Sequence, residues 1–316
     1  MHDASRGRRI RRLAVSVAGP DATQVLALFA AALPDMEVVD AVSAEGDVDY
    51  VVAGVRDARL FASRRAPRAV FSFGAGVNGV LSIPNLPRDA PLIRLEDAGM
   101  SAQMVRYVLA AALRVFGRFD VYAGQQRDRV WLQHEPRTLV SFTAGVLGIG
   151  VIGGAIAQAL AAQGFRVRGH ARTPRTIAGV ACYAGDVGLD AFLAGVHFLV
   201  AVLPLTPATR GMLNRRTLAK LADGAHLVNI GRGGLVNDDD LIALLDEGKL
   251  SGATLDVFDE EPLPRNHPLT KLDNVVLTPH IGWTTDHGYE RFADTAADAL
   301  IAYLDGREFP IFKAPH

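Results

Sequence analysis

The pattern with the most explicit chemical meaning is Val146-Leu147-Gly148-Ile149-Gly150-Val151-Ile152-Gly153, a G-x-G-x-x-G that follows an apolar run and opens a helical run from Ala155 to Gln163. Glycine is needed at such a crossing because the chain turns tightly, its backbone must approach a pyrophosphate, and helix must pack on strand. The start of the helix then offers unpaired N–H groups to the anion. In a chain with 31 glycines the motif alone is weak, and a plain tight turn is the alternative. The strand before it and the helix after it supply the context that dinucleotide binding requires. No acidic residue occurs from Gly148 through Gly185, where an NAD site would carry the Asp or Glu that binds ribose hydroxyls. Instead the next strand ends Ala171-Arg172-Thr173-Pro174-Arg175. Two guanidinium forks and a hydroxyl suit a 2′-phosphate, so the pattern predicts NADP(H) as the preferred cofactor and NAD(H) as the lesser one. A solvated basic loop is the competing explanation of those arginines.

Three further segments stand where strands should end, the place at which open α/β sheets bind ligands. They are Val228-Asn229-Ile230-Gly231-Arg232-Gly233-Gly234, then Leu255-Asp256-Val257-Phe258-Asp259-Glu260-Glu261-Pro262-Leu263-Pro264, then Leu277-Thr278-Pro279-His280-Ile281-Gly282. The elements that must position them follow from periodicity. Over the first 95 residues, short apolar runs (Leu13 to Val17, Met36 to Val39, Tyr50 to Val55, Ala69 to Phe73) are interleaved with helical segments such as Thr23 to Leu33. A helix from Ala98 to Arg118 carries Met104, Val108, Ala111 and Val115 on one face. A second series begins near Val140 and runs through Phe165 to His170, Val196 to Val202, Ala225 to Ile230, Ala253 to Phe258 and Val275 to Leu277. A last helix, Thr284 to Leu304, is stopped by Gly306. Strands alternating with helical crossovers predict the α/β class, with doubly wound parallel sheets.

Composition narrows the class further. A chain of 316 residues exceeds what one core organises and predicts two domains. With 49% apolar and 21% charged residues and a formal net charge of −1, it carries no signature of nucleic-acid binding. The single cysteine, Cys182, cannot build a disulfide framework and fits a reducing, cytoplasmic setting as a small packing residue. No run reaches the 18 or so apolar residues of a membrane span. Arg6, Arg8, Arg9, Arg11 and Arg12 precede the apolar stretch from Leu13 to Ala18 in the manner of an export signal, but Gly19-Pro20-Asp21 ends that stretch early. The stretch is read as a first buried strand, with twin-arginine export as the alternative.

Around Arg232, Glu261 and His280 the sequence resembles the D-isomer-specific 2-hydroxyacid dehydrogenase family, whose arginine, glutamate and histidine motifs occur in this order and spacing. Within it the chain is similar to the glyoxylate/hydroxypyruvate reductase A type through Gly74-Ala75-Gly76-Val77, Arg94-Leu95-Glu96-Asp97, Gly99-Met100-Ser101 and Ala171-Arg172-Thr173. The resemblance runs from about Val51 to Leu304. It implies a flavodoxin-like substrate domain of residues 1–96 with 288–316, and a Rossmann-type NAD(P)-binding domain of residues 97–287. It implies that Arg232 grips the carboxylate and keto oxygen of a small 2-keto acid, that His280 is the acid/base, and that Glu261 is its partner. Such a set is chemically coherent without a metal. Hydride arriving at a carbonyl carbon builds negative charge on oxygen, which a cation and a proton donor stabilise, and a carboxylate beside an imidazole favours its charged form.

The same resemblance implies that the loop containing Ala75, Gly76 and Val77 binds the substrate carboxylate opposite Arg232. Asn78 stands where relatives often carry Asp. It further assigns the cofactor to Gly148, Gly150, Val151, Ile152, Gly153, Ala171, Arg172, Thr173, Arg175, Leu203, Pro204, Ile230, Gly231, Asp256 and Gly282, with Asp256 on the nicotinamide carboxamide. Asp259 and Glu260 compete with Glu261 by adjacency, and His267 and His287 are the nearest competitors of His280. Trp283 either narrows the pocket or packs at a subunit contact. The family likeness implies a homodimer through the Ala98 to Arg118 region. Two alternatives stand beside the reductase: a dinucleotide-sensing corepressor of the C-terminal binding protein kind on the same scaffold, and a reductase of a bulkier 2-keto acid.

Overall fold

The computed structural model describes residues 11–16, 22–54, 57–61, 65–73, 76–94, 97, 99–284, 288–307 and 311–312. It divides into two compact units, Met1–Gly99 with Asp286–His316, and Met100–Thr285.

The first unit opens with β1 (Arg11–Ser16), α1 (Ala22–Ala32), β2 (Met36–Asp40), β3 (Tyr50–Ala53), β4 (Ala69–Ser72), the short α2 (Asn78–Leu81) and β5 (Leu92–Arg94). Strands β3 and β4 are buried along their whole length, as expected of parallel strands covered on both faces. Their neighbours lie in the order β2-β1-β3-β4-β5, all parallel, which is the flavodoxin-like order.

The second unit begins with α3 (Met100–Phe116), whose buried residues Met104, Val108, Ala111 and Val115 recur at helical spacing and pack the helix against α5. It is followed by α4 (Phe119–Arg127), β6 (Thr143–Leu147), α5 (Val151–Ala162), β7 (Arg166–Ala171), β8 (Val180–Ala184), α6 (Gly185–Leu193), β9 (Phe198–Ala201), α7 (Arg215–Leu218), β10 (Ala225–Asn229), α8 (Asp238–Asp246), β11 (Leu250–Leu255) and β12 (Val275–Leu277). Helix α8 shows why these elements form where they do. The Asn237 side chain accepts the Asp240 N–H at 3.0 Å, and three aspartates occupy the positive end of the helix. All seven strands are parallel, in the order β12-β11-β10-β9-β6-β7-β8. From β6 the winding runs one way through β7 and β8 and the other way through β9 to β12. The β6–β9 boundary is therefore the topological switch point, where a ligand crevice is expected.

The chain then returns to the first unit as α9 (Gly288–Leu304), packed on α1, and β13 (Ile311–Phe312), which pairs antiparallel with β5. Thus both sheets are of the expected doubly wound type, with one antiparallel edge strand. Strand ends differ locally. The run expected over Ala253 to Phe258 is strand only at Leu250–Leu255, so Asp256 to Phe258 are released into the loop that reaches Glu261. The strand β8 and the two-residue edge strand β13 are not among the runs expected from the sequence.

Candidate active site

The glycine motif occupies the turn from β6 into α5, at the switch point. Gly148 has φ +106, and a Cβ there would lie 2.9 Å from Leu203 Cδ2 and 3.0 Å from the Val202 carbonyl oxygen. A Cβ on Gly153 would lie 1.9 Å from the Gly148 carbonyl oxygen, so the helix can approach the turn only without a side chain. At Gly150, the N-cap of α5, a Cβ would meet nothing within 4 Å, and no side chain caps the helix. Two glycines are thus demanded by packing, while the middle one leaves open space over an uncapped helix terminus. That arrangement fits a pyrophosphate. The same terminus lines a cleft of about 450 Å³ together with Val151, Gln158, Arg175 and Thr176. Arg172, Thr173 and Arg175 are exposed beyond the buried Ala171 at the end of β7, and neither arginine has an ion-pair partner among the described residues. Leu203 and Pro204 follow β9 across the switch point, and Ile230 is buried beyond β10.

Arg232 stands in the loop after β10 in extended conformation and is half-buried. Its Nη1 donates to the Gly231 carbonyl. Burial lowers the pKa of the guanidinium from its ordinary value, against the opposing charge of Glu261. A residue that sequence reasoning did not single out holds this loop. Asn229, buried at the end of β10, accepts the Gly231 N–H at 3.1 Å and donates from Nδ2 to the Arg232 carbonyl at 2.9 Å. A polar amide closing the apolar pair Leu227-Val228 was the available signal. Next to it, a Cβ on Gly233 would lie 1.8 Å from the Phe258 carbonyl carbon. The arginine loop is therefore pressed against the backbone that leads to Glu261.

His280 and Glu261 meet directly, with His280 Nδ1 2.8 Å from Glu261 Oε2. The other carboxylate oxygen of Glu261 accepts the Phe258 N–H at 2.9 Å, which fixes the side chain from behind. Because a carboxylate acts here as acceptor, Nδ1 carries the proton and Nε2 is left to act on a ligand. Nε2 makes no hydrogen bond among the described residues. The two competing carboxylates lie elsewhere: Asp259 pairs with Arg210 at 3.2 Å and Glu260 is exposed. His267 caps the short turn Pro268–Lys271, while His287 lies outside the described residues.

Asp256 is almost fully buried, and its carboxylate is engaged with the histidine loop. Oδ1 accepts from Thr278 Oγ1 at 2.6 Å and from the Ile281 N–H at 2.8 Å, and Oδ2 accepts from the Gly282 N–H at 2.8 Å. The aspartate expected on the cofactor is in this structure first a clamp on the segment carrying His280. Trp283, two residues beyond Ile281, is half-buried. In the first unit, the Ser72 hydroxyl donates to the Gly76 carbonyl at 3.3 Å and Val77 is buried ahead of α2. Gly74 and Ala75 lie outside the described residues, as do Leu95, Glu96 and the arginines at positions 6, 8 and 9.

An uncapped helix at a switch point and a carboxylate-bound imidazole in the same unit define a dinucleotide-dependent oxidoreductase. Residues 109–282, more than half of the chain, match the family described as D-isomer specific 2-hydroxyacid dehydrogenase, NAD binding domain, and the chain belongs to that family. It is 41% identical over 265 residues to glyoxylate/hydroxypyruvate reductase A of Yersinia enterocolitica, an alignment covering 82% of this chain and 83% of the relative. Its fold is similar to the crystal structure of an NADPH-dependent glyoxylate/hydroxypyruvate reductase from Sinorhizobium meliloti in complex with NADP and sulfate. That similarity has a TM-score of 0.87 at 33% identity, over 95% of this chain and 96% of the other. A D-isomer specific 2-hydroxyacid dehydrogenase from Xanthobacter autotrophicus, solved with NADPH and MES, gives a TM-score of 0.85 at 37% identity, covering 94% and 96%.

Proposed function

We propose that this protein reduces a small 2-keto acid, glyoxylate or hydroxypyruvate, to the 2-hydroxy acid with NADPH. The observation that carries the reading is the His280–Glu261 contact at 2.8 Å with Nε2 left unengaged, on the same scaffold as the half-buried Arg232. NADPH, when bound, supplies the hydride. Arg232 binds the substrate carboxylate and keto oxygen and stabilises the negative charge that develops there. His280 holds a proton at Nε2 and delivers it to that oxygen, while Glu261 holds the ring in orientation and stabilises the imidazolium. In the oxidative direction His280 accepts the proton. The family resemblance assigns the Ala75, Gly76 and Val77 segment to the substrate carboxylate. Residues of the first unit thus form the substrate domain.

Support for NADPH comes from Arg172, Thr173 and Arg175 at the end of β7, from the absence of any acid between Gly148 and Gly185, and from the relatives solved with NADP or NADPH. The protein acts as a homodimer. Phe119, Val130, Trp131 and Leu132, on and after α4 and just beyond the Ala98 to Arg118 region through which the resemblance implies the dimer, are exposed apolar side chains that a second copy would cover. A single cysteine fits the cytoplasm, and no helix among the described residues is long and apolar enough to cross a membrane.

The test is a steady-state panel of 2-keto acids assayed with NADPH and with NADH. Highest kcat/KM for glyoxylate or hydroxypyruvate with NADPH is expected. Greater efficiency with a bulky aromatic 2-keto acid, or with NADH, would overturn the substrate or the cofactor assignment respectively.

A further inference from the structure

We propose that Tyr107, on α3, is a positioning residue for the proton donor, acting through a hydrogen-bonded chain Tyr107–Thr278–Asp256 that fixes the loop carrying His280. The proposal rests on the reading of His280 as proton donor. His280 has φ +57, a left-handed conformation that a residue with a Cβ holds only where its surroundings over-determine it. The surroundings that do so are on both sides of it. Asp256 accepts from Thr278 Oγ1 two residues before, at 2.6 Å, and from the N–H groups of Ile281 and Gly282 directly after, each at 2.8 Å.

The direction of the remaining bond follows by elimination. Thr278 has one hydroxyl proton and gives it to Asp256, so the 2.6 Å contact between Tyr107 Oη and Thr278 Oγ1 must be donated by the phenol. Chains of this kind polarise and strengthen one another away from water. Burial pushes the Tyr107 phenol up to about 12, so it stays a donor throughout the working range. Tyr107 lies 171 residues from Thr278 in sequence and is otherwise one aromatic residue on a largely apolar helix. Nothing in its local pattern distinguishes it from packing.

The test compares Tyr107→Phe, Thr278→Val and Thr278→Ser with the unaltered enzyme. It measures kcat, KM for glyoxylate, NADPH affinity by fluorescence titration, and the solvent deuterium isotope effect on kcat. Losing the phenol or the hydroxyl is expected to lower kcat roughly fivefold to twentyfold, the scale of one or two hydrogen bonds. KM and NADPH affinity should stay within about twofold of the unaltered enzyme, because the loss falls on a step that binding does not report. The solvent isotope effect should rise as proton delivery becomes limiting, and Thr278→Ser should recover most of the rate. Unchanged kcat in Tyr107→Phe overturns the inference, whatever Thr278→Val does. So does a kcat loss matched by an equal loss of NADPH affinity with no rise in isotope effect, since that outcome marks simple packing. His280→Gln separates the two readings. If it turns over normally the function assignment fails, whereas a dead His280→Gln beside a normal Tyr107→Phe defeats only the positioning role.

Discussion

Arg232 combines desolvation with charge, and both properties bear on what it can do. A guanidinium partly removed from water binds a carboxylate more strongly than an exposed one, because competing solvent is reduced. Arg232→Ala is expected to lower kcat/KM for the 2-keto acid by roughly two to three orders of magnitude while leaving NADPH affinity nearly intact. Stopped-flow turnover with a parallel NADPH titration reads both. Equal turnover would remove the central role given to Arg232. Arg172 and Arg175 differ in kind, since they are exposed and without ion-pair partners among the described residues, which leaves their forks available to phosphate oxygens. Arg172→Ala combined with Arg175→Ala should reduce kcat/KM for NADPH by roughly tenfold per guanidinium and leave NADH almost unaffected. A loss shared equally by both cofactors would assign these arginines to something other than the 2′-phosphate.

At the scale of elements, the site is held by loops that leave strand ends and are locked against one another. The Arg232 loop is fixed from within by Asn229 and from outside by the close passage of Gly233 over Phe258. Gly233→Ala would put a methyl group inside the van der Waals radius of main-chain atoms, which cannot rotate away as a side chain could. We expect this variant to melt well below the unaltered protein, by an amount corresponding to about 3 kcal/mol or more, and to lose turnover. Circular dichroism melting checks it, and a variant with unchanged melting and activity would show that the two loops are not in mutual contact in solution. The paired features were visible to different degrees beforehand. Arg232, Glu261 and His280 each stood in a recognisable local motif. Asn229 stood inside the Arg232 motif without a role of its own, and Tyr107 stood in no motif, because its role depends on which strand end the helix face confronts, and local periodicity says nothing of that.

The whole molecule carries two further consequences. His226 is buried in β10, stacked on Phe198 and bonded to Thr254 Oγ1 at 2.9 Å. Burial, reinforced by Arg114 and Arg137, drives its pKa down from 6.5 to about 3. The unfolded chain therefore binds a proton that the folded chain refuses between those values, and stability falls as pH drops through that window, by at most about 1.4 kcal/mol per pH unit. Above 6.5 the contribution is complete. Urea unfolding at pH 7 and pH 4.5 should show a smaller acid loss for His226→Gln than for the unaltered protein. An identical loss in both would assign the acid sensitivity to other groups. The second consequence concerns assembly. Trp131 is fully exposed beside Leu132, and Phe119 is largely so. Trp131→Ser with Leu132→Ser is expected to shift the sedimentation of a dimer toward that of a monomer, and a monomeric unaltered protein would refute the homodimer outright.

From residues alone came the α/β class with its two sheets, the turn that fits a pyrophosphate and the basic strand end, while Arg232, Glu261 and His280 were singled out through the family resemblance of their motifs. These are written locally, because periodicity, glycine spacing and missing acids act over a few residues of chain. The tertiary structure decided which of three adjacent carboxylates meets the imidazole. It also showed that Asp256 clamps the His280 loop, and that Tyr107 serves a segment it does not adjoin. Those relations join strand ends and helix faces that are far apart in sequence, and only the packing of α3 and the parallel order of β6 to β12 brings them within hydrogen-bonding distance.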